Sequence, residues 1–223
     1  MKAAQHGVPD AMFLVGVDYG MGDSVELDND NALQWMEKAA QAGYLLAQKK
    51  IGYIYLIGFQ VKKDLRKALV WSEKAADQND LEAIFQLGLI YEEGGNGVPQ
   101  NIIKALVQFH KAAFQNYEPA LEKLGDIYGF GKDRGRNETK AYTFYSRAAV
   151  LGYPYSFAKM GDMRLKAKGV SSEPVLAAAY YDIAGRIETE VGEFKKSLEE
   201  IKNTLKPDEI ERALKISKVW EVG

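Results

Sequence analysis

The chain has 223 residues, 47% hydrophobic and 27% charged, with a formal net charge of −2 and no cysteine. That composition is ordinary for a soluble protein. It excludes disulfide staples and thiol chemistry, and it argues against a nucleic-acid partner, which needs a clustered basic surface. No apolar run reaches the 18 residues needed to span a membrane.

Taken in order, the chain opens on Met1-Lys2-Ala3-Ala4-Gln5-His6-Gly7, which has no apolar stretch of the kind a secretory leader carries. Ala3–Ala4 is in register with Ala39–Ala40 further on, and Gly7 with Gly43. The opening therefore reads as the tail of a preceding repeat's second helix. As it stands the chain reads as cytoplasmic; removal of an upstream leader would make it periplasmic or secreted.

From residue 8 a single pattern recurs. A glycine after an aliphatic residue stands at Gly16, Gly52, Gly88, Gly125 and Gly161, at intervals of 36, 36, 37 and 36 residues. Three residues later come Tyr19, Tyr55, Tyr91 and Tyr128, with Arg164 in the fifth copy. Ala32, Ala68, Ala105, Ala141 and Ala177 follow, then a small pair at Ala39–Ala40, Ala75–Ala76, Ala112–Ala113, Ala148–Ala149 and Ala184–Gly185. A period of this length predicts stacked units that bury apolar faces against one another. The repeats run over 8–43, 44–79, 80–116, 117–152 and 153–188, all within one domain.

Within one repeat, Ala47, Ile51, Gly52 and Tyr55 fall at helical spacing and predict a first helix ended by Gly58. Gly52 inside it implies a close approach by a neighbour. Asp64 is placed to cap a second helix carrying Ala68, Trp71, Ala75 and Ala76 inward. The cap slot elsewhere holds Asp28, Asn101, Asn137 and Glu173. Gly43, Asn79, Asn116 and Gly152 are placed to end the second helices, since glycine and asparagine tolerate the left-handed conformation. The extra residue of the third repeat falls in Gly94-Gly95-Asn96-Gly97, between helices. Beyond 188 the pattern changes. Val191, Phe194, Leu198, Ile201 and Leu205 predict an amphipathic helix, and after Lys206-Pro207 a last helix places Ile210, Ala213, Leu214, Ser217 and Trp220 on one face. Residues 189–223 read as capping helices of the same domain.

The unit A-x-x-x-(L/I/V/M)-G-x-x-Y-x-x-G, followed by K-A-x-x-(W/F/Y) and K-A-A-x-x-G, resembles the Sel-1-like repeat, a relative of the tetratricopeptide repeat. Ala47 to Ala76 and Ala83 to Ala113 carry it best, including Lys67-Ala68-Leu69-Val70-Trp71. The segment from Leu205 through Trp220 is similar to the closing segment of many bacterial members. The resemblance implies an all-α fold, a right-handed α-solenoid of five helix–turn–helix units with a C-terminal helical cap. It also implies a non-enzymatic adaptor that binds a protein or peptide, without a cofactor, in assemblies, signalling, host interaction or toxin neutralisation.

By the same resemblance the first helices line a concave face. The glycine register then places there Phe13, Val17 and Met21; Lys49, Tyr53, Leu56 and Ile57; Phe85, Leu89, Glu92 and Glu93; Glu122, Asp126 and Phe130; and Ala158, Asp162 and Leu165. The early repeats supply apolar and aromatic groups and the later ones acids. Such a surface suits a segment with apolar anchors and basic residues, with Tyr53 and Phe85 as expected anchors. His6 and His110 stand apart from any second ligand, so no metal site is expected.

Two alternatives stay open. Ser156-Phe157-Ala158-Lys159 matches the S-x-x-K string of penicillin-recognising enzymes, without the S-D-N or K-T-G that accompany it there. The acids Glu122, Asp126 and Asp162 offer a second route to hydrolase chemistry. The other alternative is a self-assembly module, with Ala3 and Ala4 at an apolar leading edge. A monomer is the expected state otherwise.

Overall fold

The computed structural model describes residues 2–22, 24–131, 136–188 and 192–220. The described residues form thirteen helices divided between two compact units, 1–115 and 116–223. None of these helices is long and apolar enough to cross a membrane.

The first unit contains α1 (Lys2–Gln5), α2 (Pro9–Met21), α3 (Asn29–Gln41), α4 (Leu45–Ile57), α5 (Leu65–Ala76), α6 (Leu81–Glu93) and α7 (Ile102–Phe114). Pairs α2/α3, α4/α5 and α6/α7 pack as hairpins, and α3 packs on α4 and α5 on α6. The predicted caps hold. Asp28 accepts from the Asn31 N–H at 2.9 Å, Asp64 from Arg66 and Lys67, and Asn101 from Lys104. The backbone past each second helix turns left-handed at Gly43 and Asn79, with φ of 89° and 63°. The inserted residue lies in a tight loop, where Gly95 and Val98 pair through backbone bonds of 2.7 and 2.9 Å and the Val98 side chain is buried.

The small residues at fixed positions set the spacing of the layers. Ala39, Ala40, Ala68, Ala75, Ala105 and Ala112 are fully or nearly fully buried, so helix backbones come together with little side chain between them. A Cβ on Gly52 would lie 2.8 Å from the Ser72 hydroxyl of α5 and 3.0 Å from Gln86 Oε1 of α6. The buried polar groups there satisfy one another: Ser72 Oγ donates to Gln86 Oε1 at 3.0 Å, and Gln48 Nε2 donates to the Ala40 carbonyl. The repeated tyrosine has an electrostatic role as well. Tyr55 donates to Glu37 at 2.7 Å while Lys67 lies 4.6 Å from its ring centroid, and Lys104 covers Tyr91 in the same way.

The second unit contains α8 (Glu118–Phe130), α9 (Glu138–Val150), α10 (Pro154–Leu165), α11 (Pro174–Ile187), α12 (Glu193–Lys202) and α13 (Pro207–Val219). Asn137 caps α9 through the Lys140 N–H, and Gly152 ends it with φ of 89°. Glu173 departs from the expectation: it stands at the cap position of α11 but its side chain caps nothing. Its carboxylate instead accepts from Arg164 at 2.8 Å. Arg164, in the tyrosine slot, also donates to the Tyr142 hydroxyl at 3.1 Å and ties down Ser171.

Both closing helices, α12 and α13, pack on α11. Leu198, Ile201 and Ala213 are buried there, and Ser217 donates to Asp182 at 2.6 Å. Val191 lies outside the described residues. Trp220 is half-exposed and meets Phe157 edge-on at 5.0 Å between centroids. At the other terminus α1 packs on α2, with Ala4 buried and Ala3 exposed.

Candidate functional site

In the first unit, the predicted surface residues of α4 and α6 meet. Tyr53, Ile57, Leu89, Glu92 and Glu93 line one open groove of about 660 Å³, with Lys63 at its rim and Leu56 at its floor. Helical spacing explains the gathering: Tyr53 and Ile57 are four apart on α4, and Leu89 and Glu93 four apart on α6. Tyr53 is 42% exposed, so a large ring stands in solvent. Lys63 pairs with Glu93 at 2.5 Å. Lys49, on the same helix, is occupied by Glu82 at 2.8 Å and Asp80 at 3.6 Å, which raise its pKa chiefly through the Glu82 hydrogen bond. Leu56 is a correction: it is buried, and offers the groove a floor rather than a protruding contact.

Phe85 is half-buried, its ring 5.4 Å from that of Phe109. Phe13 similarly packs on Tyr44 at 5.5 Å. Phe13, Val17 and Met21 line a separate apolar cavity of about 360 Å³ among α2, α3, α4 and the Phe59–Val61 segment. Gly20 also lines it, in the register where α4 places the buried Leu56. The missing side chain leaves the space.

In the second unit the acids form a hydrogen-bonded cluster. Ser156 on α10 is fully buried and donates to Glu122 Oε1 at 2.7 Å. Tyr145 on α9 donates to Asp126 at 2.6 Å. Burial pushes the Glu122 carboxyl up to about 7, with Glu118 and Asp126 adding repulsion and the Ser156 bond opposing it. Burial and the Asp126 bond likewise push the Tyr145 hydroxyl up. Nearby, Phe130 is exposed, and the Lys159 ammonium lies 5.1 Å from its ring centroid and 4.7 Å from that of Tyr155. Asp162 pairs with Lys166 at 3.4 Å and, with Phe130, Tyr145 and Lys159, lines a cavity of about 260 Å³. Ala158 is buried, against the expectation of a surface position. Ser156 has no exposed surface from which to attack a substrate, and its hydroxyl is directed at a carboxyl. The sequence missed the Ser156–Glu122 pair because the partners lie 34 residues apart.

This arrangement of capped helix pairs, with glycine, tyrosine and paired alanines at fixed places, can be compared with known proteins. The Sel1 repeat family model matches residues 9–44, 45–80, 81–117, 119–153 and 158–186. The chain belongs to the Sel1 repeat family. Its helix–turn–helix units are those of a tetratricopeptide-like α-solenoid, a fold typically used as a non-enzymatic scaffold for protein interactions. Among solved structures it is similar to a Sel1 repeat protein from Oxalobacter formigenes, 28% identical, with a TM-score of 0.71 over 82% of this chain and 75% of that one. An Escherichia coli protective antigen with the same repeat fold is 22% identical, with a TM-score of 0.54; the match covers 98% of this chain but only 54% of the antigen. An immunity protein from Pseudomonas aeruginosa is 18% identical, with a TM-score of 0.52 over 94% and 82% of the two chains. The last two likenesses concern the fold alone. No curated protein matches the Sel1 chain.

Proposed function

We propose that this Sel1 repeat protein is a scaffold that holds a segment of a partner protein against its first helices. The α4/α6 groove carries the reading, because exposed Tyr53 and Ile57 stand beside Leu89, Glu92 and Glu93 in one recess. Such a recess suits a peptide or helix that inserts an apolar side chain between Tyr53 and Leu89 and sets a lysine or arginine against Glu92 and Glu93. The Lys63–Glu93 pair is exposed enough to exchange for an incoming cation at little cost. A binding role also fits the fold shared with the immunity protein.

The test is affinity capture from the native source followed by titration of the recovered partner. Tyr53→Ala/Ile57→Ala is expected to weaken binding about tenfold or more, since aromatic anchors dominate such interfaces. Tyr53 and Ile57 are preferred to Phe85 for this purpose, because Phe85 also packs on Phe109. A folded double variant that binds as tightly as the parent would dispose of the groove.

A further inference from the structure

The outward side of α7 carries a feature that the repeat does not require. Ala105, Phe109, Ala112 and Ala113 form its buried face. Opposite them Ile103, Val107 and Phe114 are 77%, 58% and 85% exposed, and His110 is exposed between them. The spacing of four, three and four makes one continuous stripe along three turns. The first, second and fourth repeats, whose second helices are not covered by the closing helices as α11 is, serve as internal controls. In the same register α3 has Asp30, Gln34, Glu37 and Gln41, and α5 has Arg66, Val70, Glu73 and Asp77. The corresponding residues of α9 are Thr139, Thr143, Ser146 and Val150. Apart from Val70 and Val150, polar residues satisfy the fold at these positions, and only α7 has three apolar side chains there, all more than half exposed.

The rim of the stripe identifies what fits it. Lys104 and Lys111 are exposed along one edge, and α7 contains no acidic residue. We infer that the outer face of α7 is a second docking surface, which takes an amphipathic helix bearing apolar residues at three- and four-residue spacing and acids along one edge. A second copy of the chain fits poorly, because α7 packed against itself brings lysines near lysines with no acid to offset them. A stripe of three apolar side chains also falls well short of the ~800 Å² per partner of a stable dimer. An anionic membrane fits poorly as well. The lysines flank one edge only, and Glu73 and Asp77 occupy the matching outer positions of the preceding repeat.

The probes are two synthetic helical peptides with identical apolar faces, one with glutamates along the edge and one with lysines, followed by fluorescence anisotropy on the full chain. The glutamate peptide is expected to bind about tenfold more tightly than the lysine peptide. Phe114→Ser/Ile103→Ser should abolish that binding, and Lys104→Glu/Lys111→Glu should invert the preference. Ile103, Phe114 and Lys111 are exposed, so changes there are expected to melt with the parent, whereas Lys104→Glu also removes the ammonium over the Tyr91 ring. Lys111→Glu alone leaves that contact intact and should reduce the preference in the same direction. Tyr53→Ala/Ile57→Ala should leave peptide binding unchanged, which separates this surface from the α4/α6 groove. Equal binding of both peptides, or binding untouched by Phe114→Ser/Ile103→Ser, overturns the inference. So does a dimer in light scattering that Phe114→Ser dissolves, or co-sedimentation with phosphatidylserine vesicles that Phe114→Ser abolishes.

Discussion

Gly88→Ala is expected to destabilise the first unit by about 2–3 kcal/mol, although alanine is the better helix former. The added Cβ would lie 2.3 Å from Phe109 Cε1 and 2.5 Å from Cδ1. That ring is fully buried and held by Phe85 at 5.4 Å, so it cannot swing aside without opening the core. The intrinsic gain of alanine over glycine in a helix is about 1 kcal/mol, and forcing atoms into a packed site costs more than that. Gly20→Ala is the control, since its Cβ would meet only the Ala32 methyl, at 3.6 Å, beside the apolar cavity. Nothing opposes the helix gain there, and the variant should be more stable by about 0.5–1 kcal/mol. Urea denaturation of the two variants gives opposite signs if the repeated glycine is a contact point between helices. A Gly88→Ala protein as stable as the parent would show that it is not.

Glu122→Gln is expected to stabilise the protein at pH 8 while changing little at pH 5. The carboxyl is raised by burial from its ordinary 4.5 to about 7. Below 4.5 both the folded and unfolded chains carry the proton, and its stabilising contribution is fully present. Between 4.5 and about 7 the unfolded chain releases the proton and the folded one keeps it, so stability falls as pH rises. Above about 7 the folded chain holds a charge in a half-buried site beside Glu118 and Asp126, and the loss is complete. Solvent screens part of the penalty, which leaves about 1–2 kcal/mol. Glutamine keeps an acceptor for Ser156 Oγ, so the hydrogen bond survives the change. Denaturation curves at the two pH values, parent against variant, should diverge several-fold more at the higher one. A difference that is the same at both would mean that Glu122 titrates as a free carboxyl.

The expected surface residues separate by how strongly the repeat constrains their neighbours. Tyr53, Ile57, Leu89 and Glu93 reach one groove because each is placed by its distance from Gly52 or Gly88, and those distances are local to one helix. Leu56 and Ala158 were expected at the surface and are buried, because a position at the border of a helix face is decided by the neighbouring helix. The Glu173 cap failed for a related reason. Its carboxylate accepts from Arg164, nine residues earlier, and that partner is set by the path of the intervening segment and not by the cap position.

What the residues alone determine here is whatever depends on spacing along the chain: the 36-to-37-residue period, the helix pairs, the caps at Asp28, Asp64, Asn101 and Asn137, and the glycines that admit a neighbouring helix. Those features are short-range, and a helix registers them within a few turns. Packing decided the rest. Ser156 meets Glu122 across 34 residues, and burial, which no single segment carries, sets the proton on that carboxyl. The α7 stripe belongs to both. Its apolar residues are plain in the chain, but only the side on which Ala105 and Phe109 are buried makes Ile103, Val107 and Phe114 a surface.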